Sequence, residues 1–413
     1  MNIAVIGSGI SGLTAAHLLA RSHTVTLFEA NTYIGGHTNT IDVRENGRTL
    51  AVDTGFIVFN DWTYPNFIKL IEQLDVDSQD TRMSFSVQSE TTGLEYCGSS
   101  INALFAQRRN LANLAFYRML LDIVRFNRDM KRARLQLDNR VSLGQYLDHN
   151  GYSRDFVEHY IIPMGAAIWS ATHAAMLEFP LRFFCDFFDN HGLFNIVNQP
   201  QWRVIKGGSR EYIAPMIAPF RERVHLNRPV KAVRRTVSAV ELHFADGTSE
   251  TFDGVVLACH SDQALAMLQD ATDKERDTLG PIEYQENLAV LHTDTSLLPS
   301  SHRAWAAWNY HVSPNQALPR LTYNMNILQG LASEETYCVT LNHDTTIDPD
   351  RIIRKIQYAH PVFSAGAVEA KKQQARINGI QRTWFCGAYW GNGFHEDGVN
   401  SALAVTEQFG INL

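Results

Sequence analysis

The sequence contains few cysteines, and none of them stands in a short paired motif. Its 413 residues include five cysteines, and no two of these form a Cys-x-x-Cys pair. This spacing supports neither a zinc site nor a disulfide framework. We therefore expect reduced cysteines in a cytoplasmic protein and no bound metal.

Long apolar runs and an export signal are also missing. No stretch of about 18 uncharged apolar residues occurs, so the sequence predicts no transmembrane helix. The first residues lead directly into a predicted strand, without a basic segment followed by an apolar core, so we do not expect export.

An overall excess of positive charge is absent as well. The formal net charge is −7 and the isoelectric point is near 6.1, which argues against nucleic acid as a partner. Hydrophobic residues make up 45% of the chain and charged residues 19%, a composition typical of a globular protein with a substantial core. The length allows two domains or one large interleaved domain.

The clearest motif that is present lies in the first thirty residues. A β-branched apolar run precedes Gly7-Ser8-Gly9-Ile10-Ser11-Gly12, and a helical stretch and a second apolar run then lead to Glu29. The order strand, glycine turn, helix, strand and acid predicts a dinucleotide-binding unit. A plain βαβ turn that happens to contain these glycines is the alternative.

Each part of this motif has a physical reason. Gly7 permits the tight turn, Gly9 lets the backbone approach a pyrophosphate, and Gly12 lets the helix pack against the strand. The helix N-terminus offers free N–H groups to phosphates, and the acid can accept hydrogen bonds from ribose hydroxyls.

Two further glycine motifs follow at Gly35-Gly36-His37-Thr38 and at Asp53-Thr54-Gly55-Phe56-Ile57. Paired glycines let a loop fold back over an extended ligand. Together with the first motif, these segments resemble the FAD-binding superfamily of amine oxidases, phytoene desaturases and protoporphyrinogen oxidases. That superfamily usually has arginine at the position of His37.

The end of the chain carries the same resemblance. A predicted strand ends at Gly387, and Gly398 opens an alanine-rich helix whose N-terminus can stabilise negative charge on a flavin. The resemblance implies a non-covalent FAD. It also implies that its contacts are Gly7, Ser8, Gly9, Ile10, Ser11, Gly12, Glu29, Ala30, Gly35, Gly36, His37, Thr38, Thr54, Gly55, Phe56, Ile57, Val230, Gly387, Gly398 and Val399.

The fold implied by the resemblance is α/β. A Rossmann-like FAD-binding domain, formed by residues 1–65, 200–268 and 376–413, would be interleaved with an α+β substrate or cap domain formed by residues 66–199 and 269–375. Within the cap, residues 157–194 are rich in aromatic side chains and are interrupted by Pro163 and Pro180, so one long helix is not expected there. Dense aromatic residues usually form core, but they also suit the lining of an apolar substrate tunnel.

Residues 101–140 are locally basic, with nine Lys or Arg against three Asp. A basic amphipathic helix can lie on an anionic membrane surface, which for a cytoplasmic protein is the inner face of the membrane. Placed at 100° per residue, however, the arginines and the apolar residues do not separate cleanly. The sequence therefore favours a cap helix with a solvated basic side over a membrane-binding helix.

The candidate general bases are His395 and Glu396, with Asp397 beside them, because they immediately precede the flavin-side helix. The alternative role for His395 is to position Gly398. The more weakly placed candidates are His159, His173, His191 and His311.

Three functions compete. The first is an FAD-dependent desaturase acting on a lipid or fatty-acyl chain; the ending Gly-Asn-Gly-Phe-His-Glu-Asp-Gly is most similar to a bacterial branch linked to methylated and furan fatty acids. The second is an amine oxidase, which usually has a lysine near the flavin, for which the sequence shows no evident position. The third is a flavin-binding partner or redox sensor without turnover. The sequence leaves the oligomeric state open.

Overall fold

The computed structural model describes residues 1–133, 140–195, 197–314 and 318–413. Its first sheet is parallel throughout and has β1 at its centre. The five strands lie in the order β10 (Val224–His225), β2 (Thr24–Phe28), β1 (Asn2–Ile6), β14 (Gly254–Leu257) and β20 (Thr383–Phe385).

Alternation along β1 explains how this sheet is covered on both faces. Ile3 and Val5 pack against α1 (Ile10–Leu19) and α15 (His395–Thr406), whereas Ala4 and Ile6 face the opposite layer. That layer is an antiparallel meander of β11 (Val230–Arg235), β12 (Val240–Phe244) and β13 (Ser249–Phe252). Because β2 and β14 flank β1 on opposite sides, the carboxyl end of β1 is a topological switch point, where ligands bind in such sheets.

A second sheet of seven strands lies in the cap. It is antiparallel except where β16 pairs with β7. Its order is β19 (Ile352–Val362), β15 (Glu283–His292), β18 (Cys338–Leu341), β17 (Arg320–Asn324), β16 (Trp308–Val312), β7 (Phe85–Ser89) and β8 (Glu95–Cys97). Two small sheets pair β3 (Thr40–Glu45) with β4 (Arg48–Asp53), and β9 (Trp202–Ile205) with both β5 (Val58–Asn60) and β6 (Ser78–Thr81).

Helices cover the cap sheet and connect the two sheets. Side chains of α4 to α9 share one hydrophobic cluster with Val87, Tyr310 and Leu321 of the cap sheet. The remaining helices are α2 (Pro65–Gln73), α3 (Ile101–Leu104), α4 (Leu114–Ala133), α5 (Leu143–His149), α6 (Arg154–Phe156), α7 (Ile162–Trp169), α8 (His173–Leu177), α9 (Leu181–Asn190), α10 (Ile213–Ile217), α11 (Ser261–Met267), α12 (Asp273–Leu279), α13 (Met325–Gln329) and α14 (Ala365–Ala370). None of these described helices has both the length and the apolar content needed to cross a bilayer.

The two prolines of the aromatic segment behave differently from each other. Pro180 separates α8 from α9, as expected, and stands at the N-cap of α9. Pro163 does not end the helix, because a π-helical turn over Val157–Ile161 directly precedes α7. A π turn changes the hydrogen-bond pattern locally and so accommodates a residue that lacks an N–H group.

The ends of the two predicted cap segments pack with the parallel sheet and not with the cap. Phe67, Leu70 and Ile71 of α2 belong to the core beside the parallel sheet, so residues 66–73 do not pack with the cap. Leu279 and Ala367 likewise pack in the cluster on the meander side of the parallel sheet. Assigned by packing, the second cap segment therefore begins near β15 and ends near Phe363, which belongs to the cap cluster. Apart from these edges, the division into domains stays a prediction.

Candidate cofactor and active site

Three glycines shape the turn between β1 and α1. Gly7 has a φ of +103°, and a Cβ there would lie 2.7 Å from the carbonyl oxygen of Ala258, while a Cβ on Gly12 would overlap the carbonyl oxygen of Gly7. A Cβ on Gly9 would meet no atom within 4 Å, and no side chain caps α1, which begins at Ile10. The first N–H groups of the helix therefore face open space of the kind that a diphosphate fills.

Glu29 is buried at the end of β2, beside the exposed Ala30. One carboxylate oxygen accepts hydrogen bonds from the backbone N (2.9 Å) and Oγ (2.6 Å) of Ser8, and the other accepts from the backbone N and Nδ2 of Asn31, both at 2.9 Å. The backbone N of Arg228 donates to the Glu29 carbonyl, which brings the start of β11, at Val230, to the same edge. The carboxylate thus joins the glycine turn to the predicted ribose end of the site.

The Gly35–Thr38 loop folds back onto the glycine turn. A Cβ on Gly36 would lie 3.2 Å from Cα of Gly9. The segment after β4 closes over the same loop, because the backbone N of Phe56 donates to the carbonyl of His37 (2.7 Å) and a Cβ on Gly55 would overlap that carbonyl. The three motifs, far apart in the sequence, therefore meet around one space.

His37 presents a nitrogen without a partner to this space. Its ring stacks on Tyr358 at 4.6 Å and lies 5.2 Å from the ring of His360, and its buried Nε2 has no hydrogen-bond partner among the described residues. Burial, followed by the neighbouring His360, lowers the pKa of His37 well below its usual value, so the ring is neutral. At this position the chain therefore has a neutral imidazole and not a cation.

The start of α15 lies against the start of α1. A Cβ on Gly398 would lie 2.6 Å from Cγ2 of Ile10, and Val399 is fully buried in the same core. Before the helix, the backbone N of Gly387 donates to Oγ of Ser401 at 2.9 Å. Two helix N-termini therefore meet beside the Gly35–Thr38 loop, an arrangement suited to an anionic diphosphate and to a flavin edge that becomes negative.

His395 and Glu396 are both buried, and their contacts are structural. Nε2 of His395 lies 3.1 Å from Oγ1 of Thr38 and 3.0 Å from Oη of Tyr212, and its ring stacks on Phe56. The carboxylate of Glu396 accepts hydrogen bonds from the first backbone N–H groups of α2, those of residues 66 and 67. His395 therefore holds the cofactor loop and Glu396 caps a helix, while their proposed roles as general bases stay predictions.

Acid should destabilise the protein partly through His395. Burial lowers the pKa of His395 to about 3, so the ring stays neutral in the folded protein but is protonated in the unfolded chain below its ordinary value. This contribution to stability is complete above that value and is lost as the pH falls. At pH 5 the stability lost in this way amounts to about 2 kcal/mol. We expect His395→Gln to lose correspondingly less stability than the wild type between pH 7 and pH 5.

The measurement is thermal unfolding of the holoenzyme at the two pH values. His243→Gln is the control, because the His243 side chain is about one-third exposed on β12, outside this site, and the variant should show the acid loss of the wild type. Equal acid losses for the wild type and His395→Gln would contradict the assignment.

The remaining candidate histidines are dispersed. His191 stacks on Phe187 at 3.8 Å and lies near Phe394, next to α15. The others are remote from α15 in their contacts: His173 bonds to Glu158, His311 to Glu90, and His159 lies 3.6 Å from Asp155.

A further residue beside α15 is Lys371, which lies in a 3₁₀ turn after α14. Its Nζ donates to the carbonyl of Gly391 (2.7 Å) in the turn before α15, and lies 4.1 Å from the ring centre of Phe183 and 5.2 Å from that of Phe363. Burial lowers the pKa of Lys371 to about 8, so the ammonium is still the main form at pH 7. Neither periodicity nor a motif marks this lysine, so the lack of an evident lysine in the sequence no longer argues against an amine oxidase.

The residues around this space fit FAD. The open face of Gly9, the uncapped helix end, the buried acid after β2 and the unpartnered nitrogen of His37 each match a polar part of a dinucleotide. Cys386, next to Gly387, is fully buried, and burial raises the pKa of its thiol, which suits the expected non-covalent binding.

Comparisons with known proteins agree with this geometry. The fold is similar to that of cyclohexylamine oxidase from Brevibacterium oxydans IH-35A (TM-score 0.70, 14% identity, 99% of each chain covered). It is also similar to a CLA-producing fatty acid isomerase from P. acnes (TM-score 0.67, 15% identity, 98% of each chain) and to a putrescine oxidase (TM-score 0.67, 14% identity, 99% of each chain). No curated protein sequence matches the chain significantly.

At these identities the solved structures establish the fold alone. The profile of a family, described as flavin containing amine oxidoreductase, matches residues 10–297, which is more than half of the chain. The chain therefore belongs to the flavin-containing amine oxidoreductase family and is an FAD-dependent oxidoreductase.

Proposed function

We propose that this flavoenzyme dehydrogenates a lipid or fatty-acyl chain, as in the synthesis of furan fatty acids. The observation that carries the proposal is a continuous aromatic wall leading from the start of α15 into the cap. Phe394 stacks on Phe187 at 5.1 Å, and consecutive ring centres are no more than 5.6 Å apart from there on. The wall consists of Phe394, Phe187, Trp169, Phe179, Phe183 and Phe363.

This wall suits an extended apolar substrate. Phe183 and Phe394 are only half-buried, so part of each ring borders accessible space. Aromatic linings bind apolar ligands mainly by removing their surface from water. One of the similar structures is that of a fatty acid isomerase. This similarity supports an acyl chain as the class of substrate.

Electrostatics at the wall disfavours a cationic amine. The ammonium of Lys371 lies over Phe183 and Phe363, both of which belong to the wall. A protonated alkylamine in contact with these rings would be repelled by this charge, of which the neighbouring Asp397 carboxylate offsets only a part. A neutral acyl chain carries no such penalty.

Dehydrogenation removes a hydride from one carbon and a proton from its neighbour, and a carbon–carbon double bond forms between them. FAD, when bound, supplies the hydride acceptor. On the wall, Nδ1 of His191 lies 3.0 Å from the carbonyl of Phe187, to which it donates, so Nε2 carries the lone pair. Burial lowers the pKa of His191 to about 4. Its neutral ring is thus able to accept the proton, and we assign it that role in preference to His395 and Glu396.

Anaerobic reduction of the yellow holoenzyme tests the proposal. We expect phospholipids carrying methylated unsaturated acyl chains to bleach the flavin absorbance, and alkylamines to leave it unchanged. Phe187→Ala should slow bleaching at least about tenfold, because it removes a buried aromatic contact worth more than 1 kcal/mol. Phe252→Ala is the matched control, since this ring is as buried as that of Phe187 but packs on Phe28 beside the meander, outside the wall.

The other outcomes identify the competing functions. Bleaching by amines alone would identify an amine oxidase, and a stable flavin that neither substrate bleaches would favour a non-catalytic flavin-binding partner or redox sensor. His191→Gln should retain flavin but slow the reaction across the pH range above 5. If His395→Gln slows it equally while keeping the flavin, the assignment of the proton to His191 is wrong.

A further inference from the structure

The outer face of α4 is apolar, although its inner face already packs in the cap. Phe116, Met119, Phe126 and Met130 form the inner face, and each is at most 2% exposed. The outer face carries four large apolar side chains: Leu114 (85% exposed), Tyr117 (39%), Leu121 (70%) and Val124 (51%). The helix as a whole is amphipathic, and these four apolar side chains lie among the basic residues of its outer face.

The outer apolar residues form one stripe. At 100° per residue they fall within an arc of about 80° on the helix surface. Ile101 (80% exposed) and Leu111 (54%), which precede α4, extend the exposed apolar surface. Six of the thirteen exposed large apolar side chains in the described chain thus lie between residues 101 and 124. Such a concentration marks an interaction surface, because isolated exposed apolar residues are scattered.

Positive charge surrounds this stripe. The basic side chains of α4 that are exposed are Arg118, Arg128, Lys131 and Arg132, and Arg108 and Arg109 are exposed just before the helix. The two acids of α4 are less available: Asp122 is buried and accepts a hydrogen bond from the backbone N of residue 153, and Asp129 pairs with Arg128. The face is therefore locally cationic in a chain whose net charge is −7.

A polar cavity of about 350 Å³ lies at the start of α4. The exposed Arg109 and Asn113 line it together with Phe116 of the helix, and so does the Asp155 carboxylate. Asn110, which is 2% exposed, also lines it, and its Nδ2 has no hydrogen-bond partner among the described residues. Because Phe116 and Met119 of the inner face of α4 line this cavity, it lies on the side of the helix away from the apolar stripe and is not part of that surface.

We propose that this face, formed by the exposed residues of α4 and by Ile101, Arg108, Arg109 and Leu111, docks on an anionic lipid bilayer. The apolar stripe enters the interface, and the surrounding cations meet the anionic headgroups. Apolar side chains bordered by like positive charge fit a lipid surface better than a second copy of this chain, since two such faces would repel each other. The inference does not depend on the acyl substrate, because docking is measurable without turnover.

Vesicle sedimentation with the holoenzyme tests the inference. We expect binding to vesicles of phosphatidylglycerol and phosphatidylcholine in equal parts, weaker binding at high salt, and little binding to pure phosphatidylcholine. Leu114→Glu combined with Leu121→Glu should reduce binding at least tenfold. Both side chains are mostly solvated, so flavin content and thermal stability should stay at the wild-type level.

The control introduces the same charges elsewhere. Val237 (98% exposed) and Ile353 (41%) lie outside the face, and Val237→Glu combined with Ile353→Glu should leave vesicle binding intact. Equal binding of both double variants, or no binding of the wild type, would overturn the inference. A wild-type dimer that Leu114→Glu with Leu121→Glu dissociates, without vesicle binding, would assign the face to a contact between copies instead. Loss of acyl-chain turnover with intact vesicle binding would count against the proposed function alone.

Discussion

Replacing Gly9 by alanine should give a folded protein that no longer retains FAD. The backbone at Gly9 is extended (φ −65°, ψ 175°), and a Cβ there would meet no protein atom within 4 Å, so the substitution costs the fold little. The methyl group would instead occupy the space where the diphosphate approaches the first N–H groups of α1. Losing two charge-assisted hydrogen bonds there should weaken FAD binding on the order of 100-fold or more.

Flavin content after gel filtration and titration of the apoprotein with FAD measure this effect. Gly98→Ala is the matched control, because a Cβ at Gly98 also meets nothing within 4 Å and φ there is not positive. Gly12→Ala should behave differently and impair folding itself, since its Cβ would overlap the carbonyl of Gly7. Wild-type FAD affinity in Gly9→Ala would refute the placement of the diphosphate.

The second large effect concerns stability remote from the flavin. Glu275→Gln should lower the free energy of unfolding by about 2–3 kcal/mol, because it leaves the buried Arg235 with only the half-exposed Asp270 as a counter-charge. The two side chains are 1% and 2% exposed, and both guanidinium nitrogens of Arg235 donate to the Glu275 carboxylate at 2.5 and 3.0 Å. Burial alone would raise the pKa of Glu275, but these hydrogen bonds hold it below its usual value, so the contribution is present at neutral pH and lost in acid.

Denaturant unfolding of the holoenzyme provides the measurement. Asp246→Asn is the control, since it removes the half-exposed partner of Arg228 and should cost far less stability than Glu275→Gln. FAD content should be unchanged in both variants. A loss for Glu275→Gln no greater than that of the control would show that the buried pair contributes nothing.

The parts of this protein that the sequence predicted are those governed by local rules. The Gly7–Gly12 turn, with a strand before it, a helix after it and an acid on the second strand, depends on steric and hydrogen-bond requirements within thirty residues. The closing helix was also predicted, but it begins at His395 and not at Gly398, so His395 and Glu396 lie in its first turn together with Gly398. The family match confirms the FAD-dependent oxidoreductase that these motifs indicated.

Pairing between distant segments could not be predicted in this way. His37 and Tyr358 stack although about 320 positions separate them in the chain. The sequence likewise assigned His395 and Glu396 to catalysis from their position before the flavin-side helix, whereas their contacts are with Thr38, Tyr212 and the start of α2. Position along a chain does not determine which way a side chain points.

By itself, the sequence determined the cofactor and the class of chemistry, because the glycine conformations, helix ends and strand patterns of the FAD-binding motifs are local properties. Only the tertiary structure decided which residues from distant segments lie around these motifs and along the cap. It brought Lys371 and His191 to the aromatic wall, and it left the outer stripe of α4 exposed while its other face is buried. These outcomes depend on how the cap packs against the parallel sheet, and therefore on contacts between segments that no local pattern encodes.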